Sequence, residues 1–197
     1  MGRKAGVTAE QTRAELLSAA ARVFALKGYD GASIADICAE AGMSTGPVYA
    51  HYGSKAELFV AVLEAHGHRQ FRALLGSGEV TDVPGFLAMV GSTYDQRPPA
   101  DATLVVEAIV AAKRDPEVAA LVSSWLTSGE ELLAATIEQA QNAGVLDSAV
   151  RPEAVSRLAT MLALGSFLTA VLDVDTLDHE DWSRLIERLV DAVRPKS

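Results

Sequence analysis

The stretch IADICAEAGMSTGPVYAHYGSK, residues 34–55, places one glycine between two short apolar runs. The first run follows Ser33, a residue type preferred at helix N-caps, and it ends at Gly42, which adopts a left-handed backbone without a Cβ penalty. Ser44 is a second N-cap candidate and begins a very short helix that ends at about Tyr52. The spacing therefore predicts two short helices joined by a three-residue turn, which is the pattern of a helix-turn-helix.

The aromatic and basic residues after the turn favour a DNA-binding role for this motif. The second helix of a helix-turn-helix enters the major groove, and Tyr49, His51 and Lys55 each carry a donor for a phosphate oxygen. A helical hairpin without a DNA role produces the same periodicity, and its tyrosines then belong to the core. Val48 and Tyr52 are four residues apart and share one helix face. We therefore expect Tyr52 to be buried and Tyr49 to face outward.

Residues 8–65 resemble the N-terminal motif of the TetR family of bacterial transcriptional regulators. The matching positions are Ser33, Ile37, Gly42, Ser44, Gly46, Tyr49, His51, Tyr52, Lys55 and Leu58. The departures keep the size class or the hydroxyl group: Ser33 replaces Thr, Cys38 replaces Ala, Met43 replaces Val and Tyr52 replaces Phe. The resemblance implies an all-α protein, in which an N-terminal three-helix DNA-binding domain is joined to a larger helical ligand-binding and dimerisation domain.

The same resemblance implies a ligand-responsive repressor that binds a pseudo-palindromic operator in double-stranded DNA as a homodimer. Tyr49 and His51 match family residues that bind DNA phosphates. Lys55 and Ser33 match residues at the N-termini of the fourth and second helices, where a side chain and exposed N–H groups share one phosphate. The small-molecule effector of such a repressor is not identified by the resemblance, which also implies no cofactor.

The predicted recognition helix carries no Arg, Lys, Asn or Gln, the residues that discriminate bases most strongly. Base reading then rests on Thr45, Pro47 and Tyr49, through thymine methyl groups or single hydrogen bonds. Gly46 has no side chain to hold the backbone away from the groove. Because Pro47 lacks an N–H, we expect Ser44 to cap the helix through the N–H of Thr45 or Gly46.

The net charge of −9 is distributed unevenly along the chain. Residues 1–55 have a net charge of +1, whereas residues 56–197 have a net charge of −10. This asymmetry fits an N-terminal unit that approaches a polyanion and a remainder that stays away from it. Arg3 and Lys4, before the first helix, are predicted to add minor-groove contacts. We therefore expect a DNA-binding domain over residues 1–55 and a second domain over residues 56–197.

Helix signals continue along the whole chain and give about nine helices. The first helix begins at Thr8 and ends at Gly28, and the fourth, at about residues 54–75, connects the two domains. The sequence GSGEV at 76–80 reads as a linker. The later helices are predicted at residues 83–94, 102–113, 116–143, 152–172 and 180–193.

The last two of these helices are predicted to pair with those of a second subunit in a four-helix bundle. The alternative is that both pack only within the monomer. The run AGVLDSAVRPEAVSRL, residues 143–158, is loosely similar to the BetI-type subgroup of C-terminal domains. The residues predicted at the dimer interface are Leu158, Met161, Leu162, Gly165, Trp182, Leu185, Ile186 and Leu189.

A ligand pocket is predicted among the helices at residues 83–94, 102–113 and 116–143, which precede this pair. For each wall residue, a place in the hydrophobic core is the alternative. Glu107 lies inside the apolar run LVVEAIVAA, and a carboxylate facing the cavity would favour a cationic or hydrogen-bond-donating ligand. The candidate wall residues are Phe86, Met89, Tyr94, Glu107, Trp125 and Phe167.

Other functions receive little support from the residues. Cys38 is the one cysteine, which excludes an intrachain disulfide and a cysteine zinc site, and its apolar neighbours favour an inert buried thiol over a redox sensor. His66 and His68 lie about 200° apart on a helix and do not share a metal ion. An enzyme and a helical protein adaptor remain the rival classes, and salt-sensitive binding of duplex DNA separates the regulator from both. No signal peptide or membrane span is recognised, so a cytoplasmic location is expected.

Overall fold

The computed structural model describes residues 9–67, 82–94, 99–174 and 177–195. Within these ranges the chain forms nine α-helices and no strand, which confirms the all-α prediction. The predicted linker at 76–80 and the predicted extension of the fourth helix to residue 75 lie outside the described residues. The helices are α1 (Ala9–Gly31), α2 (Ile34–Ala41), α3 (Thr45–His51), α4 (Lys55–Gly67), α5 (Val83–Ser92), α6 (Pro99–Ala112), α7 (Pro116–Asn142), α8 (Pro152–Val171) and α9 (His179–Asp191).

The backbone of α1 changes direction at Gly28. This residue has φ 69° and ψ 171°, a conformation that side chains with a Cβ rarely adopt, and it kinks the helix three residues before its end. The regular part of α1 therefore stops at the glycine where the sequence predicts the end of the first helix. The predicted apolar stripe of α1 is buried, and it consists of Leu16, Leu17, Ala20, Val23 and Phe24.

Local signals around the turn between α2 and α3 explain how the helix pair forms. Ser33 caps α2 by accepting the N–H of Asp36, and the Asp36 side chain accepts the N–H of Ser33, which completes a capping box. Gly42 ends α2 in the left-handed conformation, with φ 65° and ψ 30°. The N–H of Met43 then donates to the carbonyl of Cys38 at 2.9 Å. These contacts hold the two helices of the predicted helix-turn-helix.

Aromatic side chains form the centre of the core beneath these helices. The ring of Phe59 lies 4.7 Å from that of Phe24 and 5.1 Å from that of Tyr29, centroid to centroid. Cys38 is also buried, and its burial raises the pKa of the thiol. The predicted assignment of Cys38 as an inert core residue agrees with this position.

The chain forms two compact units. One contains residues 1–67 and 107–123, and the other contains residues 68–106 and 124–197. The first unit thus extends beyond the predicted boundary at residue 55. The reason is that the apolar face of α4 is buried together with α1, so the helix shares the core of the helix-turn-helix; the buried residues are Leu58, Phe59, Val62 and Leu63.

In the second unit, α9 packs closely on α5 at Gly91. A Cβ at this position would lie 2.6 Å from Cγ2 of Ile186, so only glycine permits the approach. Nε1 of Trp182 donates to the carbonyl of Gly91 at 3.0 Å. A second apolar cluster is buried among the helices of this unit, and its members are Val83, Leu133, Ile137, Ala140 and Leu146.

One described helix, α8, is long and apolar enough by length and composition to cross a membrane. Only 17% of its most apolar window is buried within the chain. A helix of this kind also occurs in proteins that never enter a membrane, so length and composition alone assign it no role. An exposed apolar helix face of this kind often marks a surface that binds a partner.

Candidate nucleic-acid interface

The helix α3 presents one buried face and one exposed face. Val48 and Tyr52 are buried against the core, whereas Tyr49 is 57% exposed and Thr45 and His51 also face outward. The expected division between Tyr49 and Tyr52 is therefore confirmed. The exposed face carries a phenol, an imidazole and a hydroxyl, each of which can donate a hydrogen bond to a phosphate or to a base edge.

The N-terminal end of α3 is bare. A Cβ at Gly46 would meet no atom within 4 Å, so this backbone is open to a ligand's approach. Ser44 has the extended backbone of an N-cap, but its side chain makes no capping hydrogen bond, so the prediction that it caps through Thr45 or Gly46 is wrong. An N-cap hydroxyl reaches the second or third N–H of a helix; Pro47 removes the third, and the second, that of Gly46, makes no hydrogen bond with the Ser44 side chain. The side chain of Pro47 lies outside the described residues.

The hydroxyl of Ser33 is engaged inside the protein. It accepts the N–H of Asp36 at 3.1 Å and donates to the Asp36 carboxylate at 2.7 Å. That carboxylate also pairs with the ammonium group of Lys27 at 2.7 Å. Hydrogen bonds from Lys27 and from Ser33 lower the pKa of Asp36 to about 2. The α2 N-terminus thus already holds an anion, and a phosphate contact of Ser33 stays a prediction.

Lys55 also has partners within its own unit. Its ammonium group donates to the carbonyl oxygen of Tyr29 at 2.7 Å and to that of Ala32 at 3.0 Å. It lies 4.2 Å from the centroid of the Tyr29 ring, within the range of a cation–π contact. Two of the three ammonium donors are therefore used, and the predicted phosphate contact of Lys55 is not tested by this geometry.

Glu107, predicted in the ligand pocket, contacts the kink of α1. Its Oε1 accepts the N–H of Tyr29 at 2.7 Å. The hydroxyl of the same tyrosine donates to Asp115 at 3.1 Å. Burial and, to a smaller extent, this hydrogen bond raise the pKa of Tyr29. The pKa of Asp115 is lowered: burial alone would raise it, but the hydrogen bonds that the carboxylate accepts, including the one from Tyr29, outweigh burial. Glu107 and its partner Tyr29 thus both belong to the unit that carries the helix-turn-helix.

The other five predicted pocket residues belong to the second unit. Met89 is exposed, and the remaining four are buried: Phe86, Tyr94, Trp125 and Phe167. The hydroxyl of Tyr94 donates to the carbonyl of Ala159 on α8 at 3.3 Å. Their burial is compatible with a core and with a pocket wall, so their role as ligand contacts stays a prediction.

The residues predicted at the dimer interface divide into exposed and buried sets. Ile186 is buried against Gly91, where Trp182 also donates its indole N–H. A Cβ at Gly165 would meet nothing within 4 Å in the same chain. Leu162 is half-buried. The exposed members of the set are Leu158, Met161, Leu185 and Leu189.

Several contacts around the helix-turn-helix have no signal in the sequence because their partners are far apart along the chain. The hydroxyl of Ser54, the residue before α4, donates to Glu117 of α7 at 2.6 Å. Arg114 pairs with Asp30 at 3.0 Å. Arg3 and Lys4, the predicted minor-groove residues, lie outside the described residues.

Comparisons with known proteins agree with this geometry. Residues 16–62 match the family model described as bacterial regulatory proteins, tetR family. The transcriptional regulator UidR of Escherichia coli (strain K12) is 28% identical over 177 residues, which cover 87% of each chain. The structure of Salmonella enterica GusR has a TM-score of 0.75 at 24% identity and covers 94% of this chain and 97% of that one. A TetR-family regulator from Rhodococcus sp. has a TM-score of 0.76 at 22% identity, with coverage of 94% and 100%.

The exposed α3 face, the glycine turn and these matches define a helix-turn-helix DNA-binding protein. Residues 16–62 carry the DNA-binding domain of the TetR family of bacterial transcriptional regulators. The chain is therefore a DNA-binding transcriptional regulator, as the named relatives are.

Proposed function

We propose that this regulator is a ligand-responsive repressor that binds a pseudo-palindromic operator as a homodimer. The observation that carries the proposal is the division of α3 into a face buried by Val48 and Tyr52 and an exposed face that carries Tyr49 and His51. A helix anchored on one side and bare on the other suits insertion into a major groove. Two such helices in a dimer read half-sites whose centres are about 34–36 Å apart.

Phosphate contacts supply most of the affinity in this proposal. Tyr49 and His51 donate to phosphate oxygens, and Arg3 and Lys4 reach the minor groove from the arm before α1. Such contacts fix the position of the helix but carry no sequence information. The cationic side chains, Arg3 and Lys4 among them, make the affinity fall as salt rises, with a slope of about −0.9 in log K against log salt for each neutralised phosphate.

Base reading falls to the first turns of α3. Thr45 and Tyr49 are exposed there, and Gly46 leaves the backbone bare, so close approach to the base edges is sterically open. With Pro47, these residues contact thymine methyl groups or make single hydrogen bonds. Because bidentate contacts are lacking, each mismatched base pair costs toward the lower end of the usual range of about 1–3 kcal/mol.

The dimer in this proposal forms through α8 and α9. Exposed apolar side chains on these helices include Leu158, Met161, Leu185 and Leu189, and Gly165 leaves room for a partner helix. Burying such a surface in a second copy of the chain accounts for the low burial of the apolar α8. An isologous four-helix interface is the arrangement that uses the same patch twice.

The ligand acts in the second unit. Phe86, Tyr94, Trp125 and Phe167 are the candidate wall residues within it. A ligand that binds one separation of the recognition helices better than another shifts the equilibrium between them, and release from DNA follows from that difference in affinity. These four side chains do not select one chemical class of ligand.

Selection of bound duplexes from a random pool tests the proposal directly. The purified protein is expected to enrich a two-fold symmetric consensus, with half-sites about 10 base pairs apart. Binding of the enriched duplex should weaken steeply with salt. No enrichment at low salt, or an enriched site without symmetry that is bound by a monomer, contradicts the proposal. A variant that lacks residues 2–6 measures the contribution of the arm in the same assay.

A further inference from the structure

Two charged side chains form hydrogen bonds with the backbone of Tyr29, one with its N–H and one with its carbonyl oxygen. The Glu107 carboxylate accepts the Tyr29 N–H at 2.7 Å, and the Lys55 ammonium group donates to the Tyr29 carbonyl at 2.7 Å. Hydrogen bonds that involve an ionised group are stronger than neutral ones. Tyr29 is only 4% exposed, and both bonds are partly sheltered from water. The peptide groups on both sides of one residue are thereby fixed.

Tyr29 lies at the junction between α1 and α2. Gly28 turns the chain with φ 69°, and Ser33 begins the cap of α2 five residues later. A Cβ at Gly28 would lie 3.1 Å from Oε1 of Glu107, so the carboxylate rests against a bare backbone. Lys55 binds the carbonyl of Ala32 as well, at 3.0 Å. The backbone that sets the direction of α2 is therefore held by Glu107 and Lys55 in addition to a helix hydrogen bond, which the Ala32 N–H donates to the Gly28 carbonyl at 3.2 Å.

The Tyr29 side chain adds a third attachment at the same joint. Its hydroxyl donates to Asp115 at 3.1 Å, and its ring packs on Phe59 of α4. Because the turn at Gly42 connects α2 directly to α3, an error in the direction of α2 is passed to the recognition helix. A helix displaced by about 1 Å loses hydrogen-bond geometry at base edges but keeps its general attraction to phosphates.

We propose that Glu107 and Lys55 are positioning residues for operator binding: by holding the backbone of Tyr29 from both ends, they fix the direction in which α2 and α3 meet DNA. This inference rests on the proposed function. It gives Lys55 a role other than phosphate binding, and Glu107 a role other than ligand binding. Both residues act through Tyr29 and neither touches a base.

Binding of the selected operator and of a random duplex by Glu107→Ala, Glu107→Gln and Lys55→Gln tests this assignment. We expect Glu107→Ala to bind the operator about tenfold more weakly while its affinity for the random duplex stays the same, since the loss corresponds to one hydrogen bond to a charged group. Glu107→Gln retains an acceptor oxygen for the Tyr29 N–H and should recover most of the affinity.

The salt dependence separates the two possible roles of Lys55. A phosphate ligand contributes a slope of about one in log K against log salt for each protomer. Loss of a positioning residue lowers operator affinity and leaves that slope unchanged. Lys113→Gln and Glu138→Ala remove the same charges at exposed positions, and both variants are expected to behave as wild type.

Three outcomes overturn the proposal: wild-type operator affinity in Glu107→Ala, an equal loss on both duplexes, or a slope reduced by about one per protomer in Lys55→Gln. Amide hydrogen exchange at Tyr29 is measured in the same variants, and rapid exchange in Glu107→Ala but not in Glu107→Gln is expected. Unchanged exchange at Tyr29 in Glu107→Ala overturns the proposal even if a variant is too unstable for DNA binding. Failure of the proposed function is distinct, because the wild-type protein then selects no duplex.

Discussion

Nε of Arg13 donates a hydrogen bond of 3.2 Å to the hydroxyl of Tyr52. The contact joins the first turns of α1 to the C-cap residue of the recognition helix, across 39 positions of sequence. Tyr52 stands where the resembled family pattern has phenylalanine, and its ring is buried as a phenylalanine ring would be. The additional hydroxyl therefore finds its partner at the protein surface without changing the core.

Tyr52→Phe is expected to lower the free energy of unfolding by about 1 kcal/mol or less, since one neutral acceptor is lost and Arg13 remains solvated. Urea unfolding followed by circular dichroism measures the change. Operator affinity should stay at the wild-type value, because the hydroxyl faces Arg13. A large loss of stability would mean that the ring itself has shifted.

Tyr49→Phe is the matched change on the exposed face of α3. Its expected effects are the reverse of those of Tyr52→Phe: unfolding is unchanged, because Tyr49 is 57% exposed, and DNA affinity falls about tenfold. A phosphate contact is not sequence-specific, so an equal loss on the operator and on a random duplex is expected; a loss confined to the operator would assign the Tyr49 hydroxyl to a base edge instead. The salt slope should be unchanged, because tyrosine is uncharged. Wild-type affinity in Tyr49→Phe, measured by fluorescence anisotropy, contradicts the assigned phosphate contact.

Gly28→Ala is expected to destabilise the protein by about 1–3 kcal/mol. The backbone at Gly28 has φ 69° and ψ 171°, and a new Cβ would crowd the Glu107 carboxylate at 3.1 Å. Gly42→Ala is the control, because Gly42 has φ 65° but open space around it and the left-handed conformation costs about 1–2 kcal/mol. Thermal unfolding of both variants compares them. Equal losses would show that contact with Glu107 adds nothing to backbone strain.

The pH dependence of stability should report the capping box of α2. The Lys27 ammonium group, then Ser33, lower the pKa of Asp36 to about 2 from its ordinary value of 3.8. A carboxyl with a lowered pKa contributes stability that is complete above its ordinary value and is lost as the pH falls through the folded value. The advantage of wild type over Asp36→Asn is therefore expected at neutral pH and should shrink between about pH 4 and pH 2. An advantage that stays constant over this range, in urea titrations at each pH, contradicts the assignment.

Local sequence signals predicted the helices well because caps, turns and apolar periodicity act over a few residues. Gly42 and the Ser33 capping box lie where the sequence places them. The destinations of charged side chains were not predictable in the same way, since Glu107 meets Tyr29 across 78 positions of sequence. A carboxylate within an apolar run indicates a pocket. The apolar periodicity of a sequence does not show that a kink in another helix leaves a backbone N–H free to bind that carboxylate. The wrong prediction at Ser44 concerns a local contact. The sequence shows that Pro47 has no N–H to donate, but the Ser44 hydroxyl does not bind the N–H of Thr45 or Gly46 in its place.

The proposed dimer surface allows a prediction about assembly. Met161 is 61% exposed on α8, and Leu158 is exposed less than one turn away. A glutamate at position 161 would bury an unpaired charge if α8 lies in a two-fold interface, because burying a charge without a partner is costly. Met161→Glu is therefore expected to convert a dimer into a monomer of 20.7 kDa, as measured by light scattering during gel filtration.

Val145→Glu is the matched control for Met161→Glu, because Val145 is an exposed apolar residue outside α8 and α9. This variant should remain dimeric and should bind the operator as wild type does. The monomeric Met161→Glu variant should lose the two-site avidity of the dimer and bind the palindrome no better than a single half-site. Dimers of undiminished stability in Met161→Glu would place the interface elsewhere and leave the apolar face of α8 without this explanation, whereas monomers from both variants would indicate general destabilisation of the second unit.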